Sequence, residues 1–151
     1  MTDGTLGASP VQKTPWHLWV VGVLAALWNG FGCFDYVMTQ TRRDEWFVQM
    51  GMTEAQLTYF NAMPAWTHAA WAIGVWGGLL GALLLLLRRK WATPVFVVSF
   101  LGWLAGAVYA FALSDGIEAM GPMWPMQIVI GAACIFFIWY AWTMGKKGVL
   151  R

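Results

Sequence analysis

The sequence predicts an all-α integral membrane protein, folded as a four-helix bundle with a short interfacial helix in its first outer loop. Hydrophobic residues make up 60% of the chain and charged residues only 11%, whereas a soluble domain carries roughly 25% charged residues because its surface faces water. The apolar residues fall into four runs, each close to or above the roughly 20 residues that cross a bilayer as a helix. A single domain that contacts the lipid bilayer follows from these two observations.

The first apolar run predicts a helix over about residues 16–38, and residues 1–15 before it are expected to form a cytoplasmic tail. Thr14 and Pro15 directly precede the run, and a capping hydroxyl followed by proline is typical of a helix start. The polar residues 39–63 then form the first outer loop. Because these residues are polar, the loop must lie outside the hydrocarbon core of the membrane.

This outer loop contains its own helix signal. Thr53 and Gln56 have the spacing of a capping box, in which each side chain bonds the backbone of the other residue. We therefore expect a short helix on the membrane surface, which ends before Pro64.

Three further apolar runs predict the remaining crossings at about residues 64–87, 94–113 and 122–144, and residues 145–151 form a basic tail. Each of these runs begins at a proline, whose missing N–H is not needed in the first turn of a helix. The turn between the second and third crossings is very short, so these two helices are expected to form a tight antiparallel hairpin.

Glycine recurs inside the first three apolar runs, often at spacing four, which lets the backbone of a second helix come close. The glycines expected at helix contacts are Gly22, Gly30, Gly74, Gly78, Gly81, Gly102 and Gly106.

The charged residues separate by side when four crossings are assumed. Seven of the nine basic residues share one side with Asp3: Lys13, Arg88, Arg89, Lys90, Lys146, Lys147 and Arg151. The other side has six of the seven acidic residues together with Arg42 and Arg43: Asp35, Asp44, Glu45, Glu54, Asp115 and Glu118. Because basic loops are retained in the cytoplasm, both termini are expected to be cytoplasmic.

Polar side chains inside the apolar runs are the candidates for a functional site. Asp35 lies near the outer end of the first helix, and His68 lies at matching depth because the first two helices are antiparallel. Tyr36 and Gln127 fall in the same layer. A carboxylate within a membrane helix costs several kcal/mol unless it lies near the interface or finds a partner. We therefore expect either a shared polar cluster or an interfacial acid that reaches water.

Other polar groups favour structural roles. Asn29 is the fifth candidate of the intramembrane polar cluster but lies deeper, where an amide gains about 0.6–2 kcal/mol from a bond between helices. His17 and His68 are expected on opposite sides of a core about 30 Å thick, so they cannot hold one haem. The basic run Arg88-Arg89-Lys90 is explained as a topology signal that keeps this turn in the cytoplasm. The alternative is that it binds the headgroup of an anionic lipid.

The sequence shows no motif typical of catalysis, phosphate binding or metal binding. It contains no phosphate-binding glycine loop, nucleophile elbow or zinc motif. We expect no catalytic residue, no metal, no cofactor and no nucleic-acid partner.

Several segments together resemble a known family. They are Trp28-Asn29, Met63-Pro64-Ala65-Trp66, the glycine-rich run from Gly74 to Gly81, and Arg88-Arg89-Lys90-Trp91-Ala92. The chain is similar, over about residues 16–145, to small bacterial four-helix inner-membrane proteins, which are uncharacterised and often labelled "sugar transporter". The resemblance implies the cytoplasmic membrane of a bacterium.

Three functions are compatible with these observations. Small-residue stripes favour an accessory or assembly subunit that packs against other transmembrane proteins. A carrier of small, sugar-like solutes is the alternative, and it would act as an oligomer because four close-packed helices leave little room for a polar path. A quinone-linked membrane enzyme is the least favoured.

Overall fold

A computed structural model describes residues 12–151, and within that range the chain forms helices and no strands. The α-helices are α1 (Trp16–Arg42), α2 (Asp44–Gln49), α3 (Glu54–Asn61), α4 (Ala65–Leu86), α5 (Ala92–Val108), α6 (Gly116–Met120) and α7 (Pro125–Lys146). A π-helical turn, Tyr109–Leu113, extends α5, and a 3-10 turn, Gly121–Met123, precedes α7.

Four of these helices are long and apolar enough to cross a membrane. They are α1 with 27 residues, and α4, α5 with its π-helical extension, and α7 with 22 residues each. At about 1.5 Å per residue, 22 residues span roughly 33 Å, which exceeds the hydrocarbon thickness. The chain is an all-α membrane protein, and the predicted fold class is confirmed.

The four long helices pack mainly in chain order. Helix α1 contacts α4, α4 contacts α5, and α5 contacts α7. At the end of the bundle where α1 begins and α7 ends, all four contribute to one buried core, which includes Leu18, Leu85, Phe96, Met144 and Leu150. Segments near this end carry the basic residues, as Arg88 bonds to Thr14 and Lys90 bonds to Arg151. We call it the basic end and the opposite end the acidic end.

Helix α4 lies between α1 and α5 because small residues let both approach its backbone. A Cβ added to Gly78 would overlap the amide oxygen of Asn29 on α1. A Cβ on Gly102 of α5 would lie 2.7 Å from the carbonyl oxygen of Ala70, and one on Gly81 would lie 2.7 Å from the Phe96 ring. A residue larger than glycine at any of these three positions would not allow the helices to come so close.

The predicted packing glycines fall into two groups. Gly22, Gly74, Gly78, Gly81 and Gly102 face another helix, as expected. A Cβ on Gly30 or Gly106 would meet nothing within 4 Å, so these two glycines serve no close contact inside the described chain. Gly77, which pairs with Gly81 at spacing four in the same run, also faces another helix, and further close contacts that the sequence did not single out involve Gly32, Gly116 and Gly131.

Several helix ends differ from the prediction. Helix α1 continues to Arg42 instead of residue 38, and the chain then reverses at Arg43, which has φ 40°. Helix α5 begins at Ala92, because Pro94 fits within its first turn. Helix α7 begins at Pro125 rather than residue 122, because the preceding residues form α6 and the 3-10 turn.

The first outer loop contains two helices. The capping box is present: Gln56 N–H donates to Thr53 Oγ at 3.3 Å, and Thr53 N–H donates to Gln56 Oε1 at 3.0 Å. The helix predicted there is α3, while α2 was not predicted. Phe47 of α2 packs against Phe60 of α3 with ring centroids 5.8 Å apart, which joins the two helices.

The last residues are packed against the bundle, in contrast to the expected tail. Val149 and Leu150 are buried in the core. The Arg151 N–H donates to the Arg88 carbonyl at 2.7 Å, and the Lys90 N–H donates to the Arg151 carbonyl at 3.0 Å. The expected tail at residues 1–15 lies outside the described residues except for its last four.

Replacing Gly78 with Ala should separate α1 from α4, because the new methyl group overlaps the Asn29 side chain. We expect a loss of about 1–3 kcal/mol, which is typical of overpacking, in SDS-induced unfolding from detergent micelles. Gly106→Ala is the matched control and should leave the unfolding free energy almost unchanged. A Gly78→Ala variant as stable as this control would contradict the close approach, and adding Asn29→Ala should restore part of the loss.

Candidate functional site

The polar residues predicted to form a cluster lie on α1, α4 and α7, and four of the five are near the acidic end. Each is half-buried. Whether they form a site depends on whether the helices bring them together.

Asp35 accepts a hydrogen bond from the indole N–H of Trp46, with Nε1 and Oδ1 2.7 Å apart. Trp46 lies on α2, which folds back beside the end of α1 because the chain reverses at Arg43. The Phe34 ring packs edge-on against the same indole at 5.5 Å. Asp35 therefore has a neutral donor from a neighbouring part of the chain.

His68 has a different partner. The Gln40 side-chain Nε2 donates to His68 Nδ1 at 3.1 Å. Gln40 follows Asp35 by five residues, which places the two side chains about 140° apart around a helix of 3.6 residues per turn. Since the Gln40 side chain meets His68, Asp35 is directed elsewhere. The predicted Asp35–His68 pair is wrong for this reason.

The remaining members of the predicted cluster also have separate contacts. The Tyr36 ring meets Trp71 edge-on at 5.1 Å. Gln127 of α7 accepts a bond from the Trp103 indole of α5 at 3.2 Å. These four residues thus take part in separate contacts along the helices, and they do not form one shared cluster.

Asn29 contacts the next helix without bonding to it. Its Nδ2 donates to the Ala25 carbonyl of its own helix at 2.9 Å, and its oxygen lies against Gly78 of α4. The predicted role in helix packing holds, but the predicted hydrogen bond between helices is replaced by one within α1. The bond within α1 supplies the partner that the amide needs in lipid.

A second group of polar contacts at the acidic end joins α3 to Ser114 and to α6. Ser114 Oγ donates to the Tyr109 carbonyl at 2.8 Å and accepts from the Tyr59 hydroxyl at 2.7 Å. Gln56 Nε2 donates to the Met120 carbonyl at 3.4 Å. Gly116 leaves room for the Tyr59 hydroxyl, since a Cβ there would lie 2.7 Å from it. Helix α3 is thereby held over α6.

Asp35 and His68 are each hydrogen-bonded to a neutral side chain. Neutral indole and amide donors hold the carboxylate and the imidazole in place, and the two titratable groups do not bond to each other. Within residues 12–151, no three His, Cys, Asp or Glu side chains are grouped so that they could hold a metal ion. Cys33 donates to the Val75 carbonyl at 3.3 Å, another contact between α1 and α4.

The sequence did not identify the partners of these residues. Gln40 and Trp46 fall within the predicted outer loop of residues 39–63, and Trp103 falls within the third predicted crossing. The extended α1 brings Gln40 to His68, and the reversal at Arg43 brings Trp46 to Asp35. A non-glycine residue with positive φ has no strong sequence signal, so this reversal could not be foreseen.

The comparisons with known proteins add no relative. No family model matches the chain, and neither a curated protein nor a solved structure matches it. A function has to be inferred from the residues themselves.

A double-mutant cycle separates the observed partner of Asp35 from the predicted one. For Asp35→Ala with Trp46→Phe, we expect a coupling energy of about 1–2 kcal/mol, since each change by itself removes the hydrogen bond to the charged group. The matched cycle of Asp35→Ala with His68→Phe should couple by less than about 0.5 kcal/mol. Unfolding in SDS–detergent mixtures measures both, and stronger coupling to His68 would overturn the geometry.

Proposed function

We propose that the protein is a non-enzymatic accessory or assembly subunit that packs against a larger complex of the bacterial inner membrane. One observation supports this above others. Four of the candidate polar side chains in the spans, those of Asp35, His68, Asn29 and Gln127, hydrogen-bond inside the molecule, whereas extensive apolar helix faces are exposed.

These polar contacts leave few hydrogen-bonding groups within the spans for a substrate. Asp35, His68, Asn29 and Gln127 each bond to a neighbouring side chain or carbonyl. Two shallow clefts lie at the ends of the described chain, one beside Arg88 and one beside Asp44. A reaction or a transport step would need a polar opening between helices.

The apolar faces are large. Only 22–28% of each candidate span is buried within the molecule. Lipid covers such faces equally well, so exposure alone does not select a protein partner. Gly30 adds a geometric feature: it is open on its Cβ side, and its helix neighbours Leu27, Phe31 and Phe34 are exposed. Bulky residues around an open glycine form a groove that another helix can enter.

The orientation in the membrane belongs to the same proposal. The basic end contains Arg88, Arg89, Lys90 and Arg151 close together. Basic residues are retained on the cytoplasmic side, so the basic end is assigned to the cytoplasm, and with it both termini.

Filling the groove at Gly30 should prevent association without harming the fold. Gly30→Leu is expected to leave the unfolding midpoint unchanged or slightly higher, since glycine is the weaker helix former by about 1 kcal/mol. The same variant should lose at least about 80% of the partner proteins that co-purify with the wild type at low detergent, because a side chain now occupies the space of the partner helix.

Gly145→Leu is the matched control for this experiment, because a Cβ at Gly145 also meets nothing within 4 Å. It should retain the co-purifying proteins. A wild-type protein that is recovered only as a free monomer, or a Gly30→Leu variant that keeps all its partners, would reject the accessory role.

The second candidate is a small-solute carrier acting as an oligomer, which Asp35 favours because it is a carboxylate within a candidate span. Sugar flux into liposomes that contain the purified protein distinguishes the two functions. For an accessory subunit we expect flux equal to that of empty liposomes. Flux in the wild type that falls at least about tenfold in Asp35→Asn would favour the carrier instead.

A further inference from the structure

The cleft at the basic end is lined by one apolar residue and three arginines: Leu87, Arg88, Arg89 and Arg151. Two backbone hydrogen bonds hold Arg151 against residues 88–90, and the buried Leu150 anchors the segment before it. Two adjacent arginines and a third from a distant part of the sequence are therefore held at one place.

Arg88 occupies a position where glycine is normally found. Its φ is 56°, and the Arg89 N–H donates to the Leu84 carbonyl at 2.8 Å, which is the pattern of a helix end closed by a left-handed residue. An arginine is disfavoured there relative to glycine. Its guanidinium group is held by Thr14 Oγ, 2.8 Å from Nη1, and within residues 12–151 its other donors have no protein partner.

The cleft also lies at a boundary between apolar and charged surface. Leu87 is 68% exposed and ends the leucine run of α4. Trp91 and Trp16, near the same end, are 71% and 74% exposed. Exposed tryptophans mark the headgroup level of a bilayer, so the arginines lie at the depth of lipid phosphates and Leu87 at the depth of the upper acyl chain.

We propose that this cleft binds the phosphate group of an anionic lipid, with Arg88, Arg89 and Arg151 around the phosphate and Leu87 beside the acyl chain. Guanidinium groups bind phosphate through paired hydrogen bonds. A topology signal needs only positive charge on one side of the membrane. It does not need Arg151 to be bonded to the Arg88 backbone, or an arginine in a left-handed conformation. This site is independent of the partner complex.

The test measures retention of phosphatidylglycerol by the detergent-solubilised protein, by native mass spectrometry over a lipid titration. Phosphatidylcholine and inorganic phosphate at the same concentrations are the other two arms. We expect phosphatidylglycerol to bind at least about tenfold more tightly than phosphatidylcholine. Inorganic phosphate that displaces the lipid at equal concentration would overturn the lipid as the source of the phosphate.

Arg89→Gln with Arg151→Gln removes two charges from the cleft and leaves the backbone bonds in place. Phosphatidylglycerol affinity should fall at least about tenfold. Lys146→Gln with Lys147→Gln removes two charges from the same end outside the cleft and should change the affinity less than about threefold. Equal losses in the two double variants would overturn the site, since binding would then follow total charge alone.

Arg88→Gly is a second variant that keeps the test decisive if the double variant folds poorly. Glycine suits the backbone at this position, so the protein should remain folded while phosphatidylglycerol binding weakens at least about threefold. Unchanged binding in a folded Arg88→Gly protein would remove Arg88 from the site and contradict the proposal.

Discussion

The structure depends on the close approach of α4 to its two neighbours. Apolar side chains gain nothing by leaving lipid for another helix, so membrane helices associate through fine packing and polar contacts. Gly78 admits the Asn29 side chain of α1, and Gly102 brings α5 against the backbone of α4 near Ala70. Ser99 Oγ, which donates to the Gly74 carbonyl at 2.6 Å, adds a hydrogen bond to the second contact. With α4 at the centre, α1 and α7 are left with broad faces toward the membrane.

This arrangement also determines how the polar groups are satisfied. A polar group in the spans that lacks water needs a partner in the protein. A nearby group fulfils this need for Asn29 and Asp35, whereas the buried Thr39 hydroxyl has no partner within residues 12–151. For Asn29 it is a carbonyl one turn back; for Asp35 it is an indole on the helix that follows the reversal at Arg43. Partners close in sequence require little chain ordering beyond that of the helices. Matching depth across two helices is therefore weaker evidence for a pair than the direction in which each side chain points.

The two ends of the bundle are built differently. At the acidic end, α3 is attached to α6 and the neighbouring π-helical turn by hydroxyl and amide hydrogen bonds. At the basic end, the chain returns after α7, buries Leu150 and bonds to the turn between α4 and α5. His17 and Tyr140 are hydrogen-bonded there as well, which links the first and last long helices. The bundle is closed at the basic end by these contacts, and the basic residues are held in a defined arrangement.

The sequence by itself determined the fold class, the number of long helices and the separation of charge between the two ends. These follow from the length and apolarity of segments, which are local properties. It also identified the capping box of α3 and five of the packing glycines: Gly22, Gly74, Gly78, Gly81 and Gly102. Only the tertiary structure decided which polar groups meet. The rotation of each helix, the reversal at Arg43 and the return of Arg151 to Arg88 arise from packing between distant segments, and small changes in rotation alter every side-chain partner.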